Sequence, residues 1–177
     1  MKPLSEKQAL LKLQKLKEIF RDEVKQNYEH RAKSCETCET KGACCLDAHF
    51  VNVHITRLEA VLIKNELSKL SPEMQKEISK RINETLEKYN LSSEGDTFTK
   101  TFACPLFEKN VGCTIHAVKP IPCIAHACYE RQEDLPPDKL HDKAEEEIEQ
   151  LNEKTYKQFP RWLPLPVWLD LINKNSY

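Results

Sequence analysis

Eight cysteines fall into two dense groups in this 177-residue chain, and the first, CETCETKGACC, places four thiols between Cys35 and Cys45. That crowding constrains the chain more than any other feature. Cys104, Cys113, Cys123 and Cys128 make up the second group. Eight inert core thiols gathered into short loops would be a poor use of a residue prone to oxidation, so the thiols are expected to do chemistry. The compartment decides which chemistry. The opening stretch MKPLSEKQALLKLQKLKEIF is interrupted by charge every few residues, offering neither an apolar signal-peptide region nor a membrane span. A cytoplasmic location is expected, where the reducing milieu makes structural disulfides rare. In an exported chain the even cysteine count would read as a disulfide framework instead. In the cytoplasm it reads as metal or redox chemistry.

The spacings refine this reading. Cys35 and Cys38 form a C-x-x-C pair, whose two intervening residues let the backbone wrap one ion at a sulfur distance of ~2.3 Å. Five residues later comes the doublet Cys44–Cys45. Successive side chains diverge, so a doublet suits two neighbouring ions, or one ion and the core. Gly112 before Cys113 suits a tight turn, and Pro120 and Pro122 lower the entropy of ordering the loop around Cys123. The pattern matches neither the two-by-two zinc ribbon nor the closely spaced ferredoxin run. Eight sulfurs allow two closed Cys₄ sites, one thiolate-bridged cluster, or one iron-sulfur cluster with spare thiols. Cys45 and Cys104 are the two most readily explained as small buried residues.

The rest of the chain reads as helices. Ser5 with Gln8 forms a capping box ahead of Leu13, Leu16, Phe20, Val24 and Tyr28, predicting a first helix over 5–34. Thr56 with Glu59 repeats the signature ahead of Leu58, Val61 and Leu62, with an end near Leu67. Ser71 and Pro72 open a third helix, buried along Met74, Ile78, Ile82, Leu86 and Tyr89 and ending near Asn90. After Pro136 and Pro137, Leu140, Ala144, Ile148, Leu151 and Thr155 mark a fourth helix with an acidic outer face. HFVNVHIT and DTFTKTFA alternate as short strands that would pair with each other. The Pro-rich tail is helical after Pro166, with Trp162 and Trp168 as packing anchors. With 40% hydrophobic residues and no linker or repeat, the expectation is a mainly α fold. It is a single domain, 1–177, built as a helical scaffold around an irregular cysteine-rich metal-binding core over 35–128. The N-terminal helix 5–34 and the C-terminal helix and tail 138–177 flank that core, and a small two-stranded element accompanies it.

The two cysteine segments, CETCETKGACC and then CPLFEKNVGCTIHAVKPIPCIAHAC, resemble the bacterial YkgJ-like or CxxCxxCC cysteine-cluster family, described as a zinc- or iron-chelating domain. The resemblance spans roughly Cys35 to Cys128, with both motifs in order and a place for all eight cysteines. Departures are the longer gap between Cys38 and Cys44, His116 where tyrosine is common, Lys119–Pro120 for Arg-Pro, and Ile124 where arginine is common. The same cluster is similar to part of the flagellin lysine N-methylases, which would imply an iron-sulfur centre and S-adenosylmethionine. Only Gly42, Gly95 and Gly112 are present, however, and no glycine-rich nucleotide loop.

The expected metal ligands are therefore Cys35, Cys38, Cys44, Cys45, Cys104, Cys113, Cys123 and Cys128, holding zinc or iron, the iron in one version as an iron-sulfur cluster. His116 and His126 each follow a cysteine by three positions but stand where the family carries aromatic residues, so packing or outer-shell hydrogen bonding is the expectation for both. His30, His49, His54 and His141 are read as non-ligands. The net charge of −1 supplies no basic field for nucleic acid, and no membrane partner is expected. Metal chelation in a structural, storage or delivery role is the leading reading. One rival is an iron-sulfur redox or methyl-transfer enzyme, for which no catalytic residue stands out. Another is a metal-stabilised interaction module whose acidic fourth helix and Trp-rich tail meet a protein partner.

Overall fold

The computed structural model describes residues 3–33, 42–46, 51–108 and 111–175. Among them the chain is mainly helical, with α1 (Glu6–Asn27), α2 (Arg57–Leu67), α3 (Pro72–Lys88), α4 (Ile121–Ala125), α5 (Asp138–Tyr156) and α6 (Leu165–Lys174). The strands are two residues each: β1 (Ala32–Lys33), β2 (His54–Ile55), β3 (Phe107–Glu108), β4 (Gly112–Cys113), β5 (Cys128–Tyr129) and β6 (Leu163–Pro164). They pair antiparallel as β1–β5, β2–β6 and β3–β4. No described helix is long and apolar enough to cross a membrane. Packing sorts the chain into two compact units, Met1–Lys41 with Lys119–Pro160, and Gly42–Val118 with Arg161–Tyr177. None of the crossing points carries the composition of a linker.

In the first unit, Ser5 and Gln8 close the expected box: the Ser5 hydroxyl accepts the Gln8 N–H at 3.3 Å and the Gln8 side chain accepts the Ser5 N–H at 3.2 Å. Ala9, Leu13, Phe20 and Val24 are buried along one face of α1, as a helical period requires. The stripe is filled by Lys17, 2% exposed, rather than by Leu16. The helix stops at Asn27, well short of the expected end near 34. Past Tyr28 the segment EHRAK offers only the small Ala32 to bury, too little to hold it on the helix. A 3₁₀ turn over Glu29–Arg31 follows, and the backbone of β1 then bonds to β5, Ala32 opposite Tyr129 and Lys33 opposite Cys128. Opposite α1 lies α5, which starts directly after Pro137 and buries Ala144, Ile148 and Asn152. Between Pro120 and His126 the short α4 buries Ile121 and packs on both α1 and α5.

The second unit has the larger core. Its α2 begins and ends where expected, the Glu59 carboxylate accepting the Thr56 N–H at 3.3 Å, and Leu58, Ala60, Leu62 and Ile63 are buried. Ser71 accepts the Met74 N–H at 3.3 Å with Pro72 in the first turn. Ile78, Ile82 and Thr85 face inward from α3. Both helices pack on α6, whose Leu165, Val167, Trp168, Leu169 and Ile172 are buried. Lys64 reaches across to donate to the Ile172 carbonyl at 3.0 Å, which meets the usual need of a helix end for donors.

The strand pairing differs from expectation. HFVNVHIT supplies β2, but its partner is β6 in the tail, His54 opposite Pro164 and Ile55 opposite Leu163. Residues 96–103 form no strand, because Lys100 N–H bonds to the Thr97 carbonyl at 3.2 Å and turns the chain. Among the described residues the two stretches meet through isolated bonds, such as Phe102 N–H to the Val51 carbonyl at 3.0 Å.

Candidate metal centre

The doublet is positioned by Gly42. Its φ is +82°, and a Cβ built there would fall 1.7 Å from Phe107 Cζ, so the backbone lies flat against the Phe107 ring where only glycine fits. A 3₁₀ turn over Ala43–Cys45 follows, closed by Cys45 N–H to the Gly42 carbonyl at 2.8 Å and Leu46 N–H to the Ala43 carbonyl at 2.9 Å. Cys104 then donates its N–H to the Cys45 carbonyl at 2.8 Å. Two segments remote in sequence are thereby joined, backbone to backbone, at cysteines of both groups.

Cys104 opens the turn Cys-Pro-Leu-Phe, closed by Phe107 N–H on the Cys104 carbonyl at 3.2 Å. The turn leads into the β3–β4 hairpin, in which Phe107 stands opposite Cys113. Thr114 clamps the hairpin base, giving both its N–H and its hydroxyl to the Leu106 carbonyl at 2.9 Å. Burial pushes the Cys104 thiol up to about 11, and the neighbouring Cys113 adds to that push. Hydrogen bonds from the backbone amides of Leu106 and Phe107, and the guanidinium of Arg81, act in the opposite direction. Those donors stabilise a sulfur that carries negative charge. Arg81 reaches the hairpin from α3, donating to the Phe107 carbonyl at 3.2 Å and standing 3.9 Å from the Glu108 carboxylate.

In the first unit, Cys123 lies in α4 and Cys128 in β5. Cys128 is paired in register with Lys33, whose ammonium meets Glu130. Cys44, Cys45, Cys104, Cys113, Cys123 and Cys128 are thiols of intermediate exposure. Cys35, Cys38 and His49 lie outside the described residues. His116 and His126 are exposed, the first on a 3₁₀ turn and the second at the end of α4. His30 is exposed, and His141 stands 3.6 Å from Glu145. His54 is buried, its Nε2 2.9 Å from the Thr97 hydroxyl.

The structure thus brings the doublet segment, Cys104 and the Cys113 strand into the second unit and leaves Cys123 and Cys128 in the first. Among the described residues, no three side chains of His, Cys, Asp and Glu are grouped as a metal would need them. The donor chemistry nevertheless suits zinc or iron, both of which take thiolates. Burial disfavours a deprotonated Cys104, and the backbone donors and Arg81 offset only part of that. Two residues that matter here, Gly42 and Arg81, escape a reading by motif. Gly42 was signalled only by being one of three glycines, and Arg81 by lying one turn from Ile78 and Thr85 on the inward face of α3. Comparison with protein-family models, with curated proteins and with solved structures yields no match to this chain.

Proposed function

We propose that the chain is a cytoplasmic zinc- or iron-binding protein of the YkgJ-like cysteine-cluster kind, with a structural, storage or delivery role. Its ligands are drawn from Cys35, Cys38, Cys44, Cys45, Cys104, Cys113, Cys123 and Cys128. The observation that carries this reading is the Cys104 turn. Burial keeps its bare thiol protonated, while neighbouring backbone donors and the Arg81 guanidinium act against that burial, and a hydrogen bond of 2.8 Å ties the same residue to the cysteine doublet. A bare thiol gains little from such donors, whereas a metal-bound thiolate uses them all. Of the arrangements open to eight sulfurs we take one Cys₄ set per unit, which requires Cys44, Cys45, Cys104 and Cys113 to draw together on metal uptake, since no three of them are grouped. Cys44, Cys45, Cys104 and Cys113 fall in the second unit, and the two stretches of the first span positions 35, 38, 123 and 128. Bound metal would supply the cross-link that orders these loops, and in the case of iron a redox centre.

Anaerobic purification followed by metal analysis and a visible spectrum tests the proposal. Stoichiometric zinc in a colourless sample, or iron in a brown one, is the expected outcome. Protein that retains no metal after purification and takes up neither zinc nor iron under reductant would sink it.

A further inference from the structure

Phe107 stands at the junction of three cysteine segments of the second unit, and a different part of the residue holds each one. The ring lies on Gly42: a Cβ there would fall 1.7, 2.2 and 2.6 Å from Cζ, Cε2 and Cε1. The outer edge of the ring therefore meets the glycine that opens the Cys44–Cys45 turn. The amide of Phe107 closes the Cys104 turn, donating to the Cys104 carbonyl at 3.2 Å. In the hairpin Phe107 is the register partner of Cys113, a pairing that sets two Cβ atoms about 4.5–5.5 Å apart. Its carbonyl accepts from Arg81 at 3.2 Å, which fixes the residue to α3. Burial does not explain this placement. Phe107 is only half-buried, whereas Leu106, directly before it, and Phe102 are fully buried in the core.

We propose that Phe107 is the positioning residue of the second unit's metal site, holding the doublet, Cys104 and Cys113 close enough for one ion to draw their sulfurs together. This inference rests on the metal-binding reading and adds the element that pre-organises the site. No three of the four cysteines are grouped as they stand, so the ion has to supply the last movement. A scaffold that already restrains their backbones lowers the entropy lost in that step. Phe107 itself touches no metal. It acts through Gly42 and the Cys104 turn, as groups behind a ligand shell do.

Zinc titration of the full-length protein under reductant, in competition with a chromophoric chelator, tests the inference. Cys113→Ser and Cys128→Ser, each removing one ion, tell the two sites apart. Phe107→Leu keeps an apolar side chain and the fold but is too short to rest on Gly42. The second unit's ion should then bind about tenfold more weakly, with the first unit's ion unchanged. Phe107→Ala should widen that split, and Phe107→Met, long and adaptable, should restore most of the affinity. A merely structural role would lower the Tm of these variants without separating the two ions. Parent affinities in both Phe107→Leu and Phe107→Ala, or both ions weakened alike, overturn the inference and leave the metal reading standing. A parent protein that takes up no metal removes the metal reading, and this inference with it.

Discussion

A methyl group added at Gly42 meets two obstacles at once. The φ of +82° is left-handed, which costs an L-residue roughly 1–2 kcal/mol, and the new carbon would overlap the Phe107 ring. Gly42→Ala should therefore lower stability by more than about 2 kcal/mol in denaturant titration. In a Phe107→Ala background the overlap is gone and only the conformational part remains, so a double-mutant cycle should show coupling of about 1 kcal/mol or more. Additive effects would mean that the ring does not rest on Gly42. His54 makes a different prediction. It is 6% exposed, stacked on Phe98 with centroids 4.0 Å apart, and burial holds its pKa below the usual 6.5 despite the Asn52 carbonyl and Asp96, which pull the other way. The unfolded chain takes up the proton near pH 6.5 while the folded chain resists it. The contribution to stability is thus complete above that pH and is lost as the pH falls below it. The denaturation midpoint should drop between pH 7 and pH 5, and the drop should shrink in His54→Gln. An identical pH profile for both proteins would remove His54 from the account.

At the scale of elements, α6 is the piece on which the second unit closes, and Trp168 is its anchor. The side chain is 4% exposed and its Nε1–H bonds to the Arg161 carbonyl at 3.1 Å. Trp168→Phe keeps most of the volume but strands that carbonyl, for an expected loss of about 1–3 kcal/mol. Trp168→Ala should lose about 3–5 kcal/mol, both measured by denaturant titration. Trp162, the other expected anchor, is only half-buried. Helices with chemical start signals were readable from the sequence: the Ser5–Gln8 and Thr56–Glu59 boxes and the Ser71–Pro72 pair each mark a true beginning. What went unread has physical causes. The five residues of α4 contain Pro122 and follow Pro120, so they show no helical period, and their order comes from packing against α1 and α5. Strands of two residues leave no alternation to detect, which is why β2 was assigned to the wrong partner. For α1, the apolar stripe marks how far burial can hold the helix, and the polar residues beyond Tyr28 give no stop signal of their own. The cysteine groups were visible as spacing. That the doublet would meet Cys104 through a backbone bond depends on the path of the chain between them, which spacing does not encode.

At the scale of the whole molecule, the question is whether the two units each depend on metal. Each is assembled from two stretches distant in sequence, and each set of stretches contains four cysteines. A thiolate site linking such stretches stabilises the folded state by mass action. Metal at a thousandfold excess over its Kd adds about 4 kcal/mol, which for a chain of this length corresponds to roughly 8–16 °C in Tm. A strong chelator under reductant should lower the melting temperature by at least that much, and added zinc should restore it. Substitution then separates one site from two. If each unit holds its own ion, Cys113→Ser should halve the bound metal and leave the first unit's ion in place, Cys128→Ser should do the converse, and the double variant should bind none. A single shared cluster would instead lose all its metal in either single variant. Because every ligand must be deprotonated to bind, metal uptake should also release protons, and more of them per ion at pH 6.5 than at pH 8. A Tm indifferent to chelator, with all eight thiols reacting at once with a thiol reagent, would show accessible, metal-free cysteines and end the metal reading.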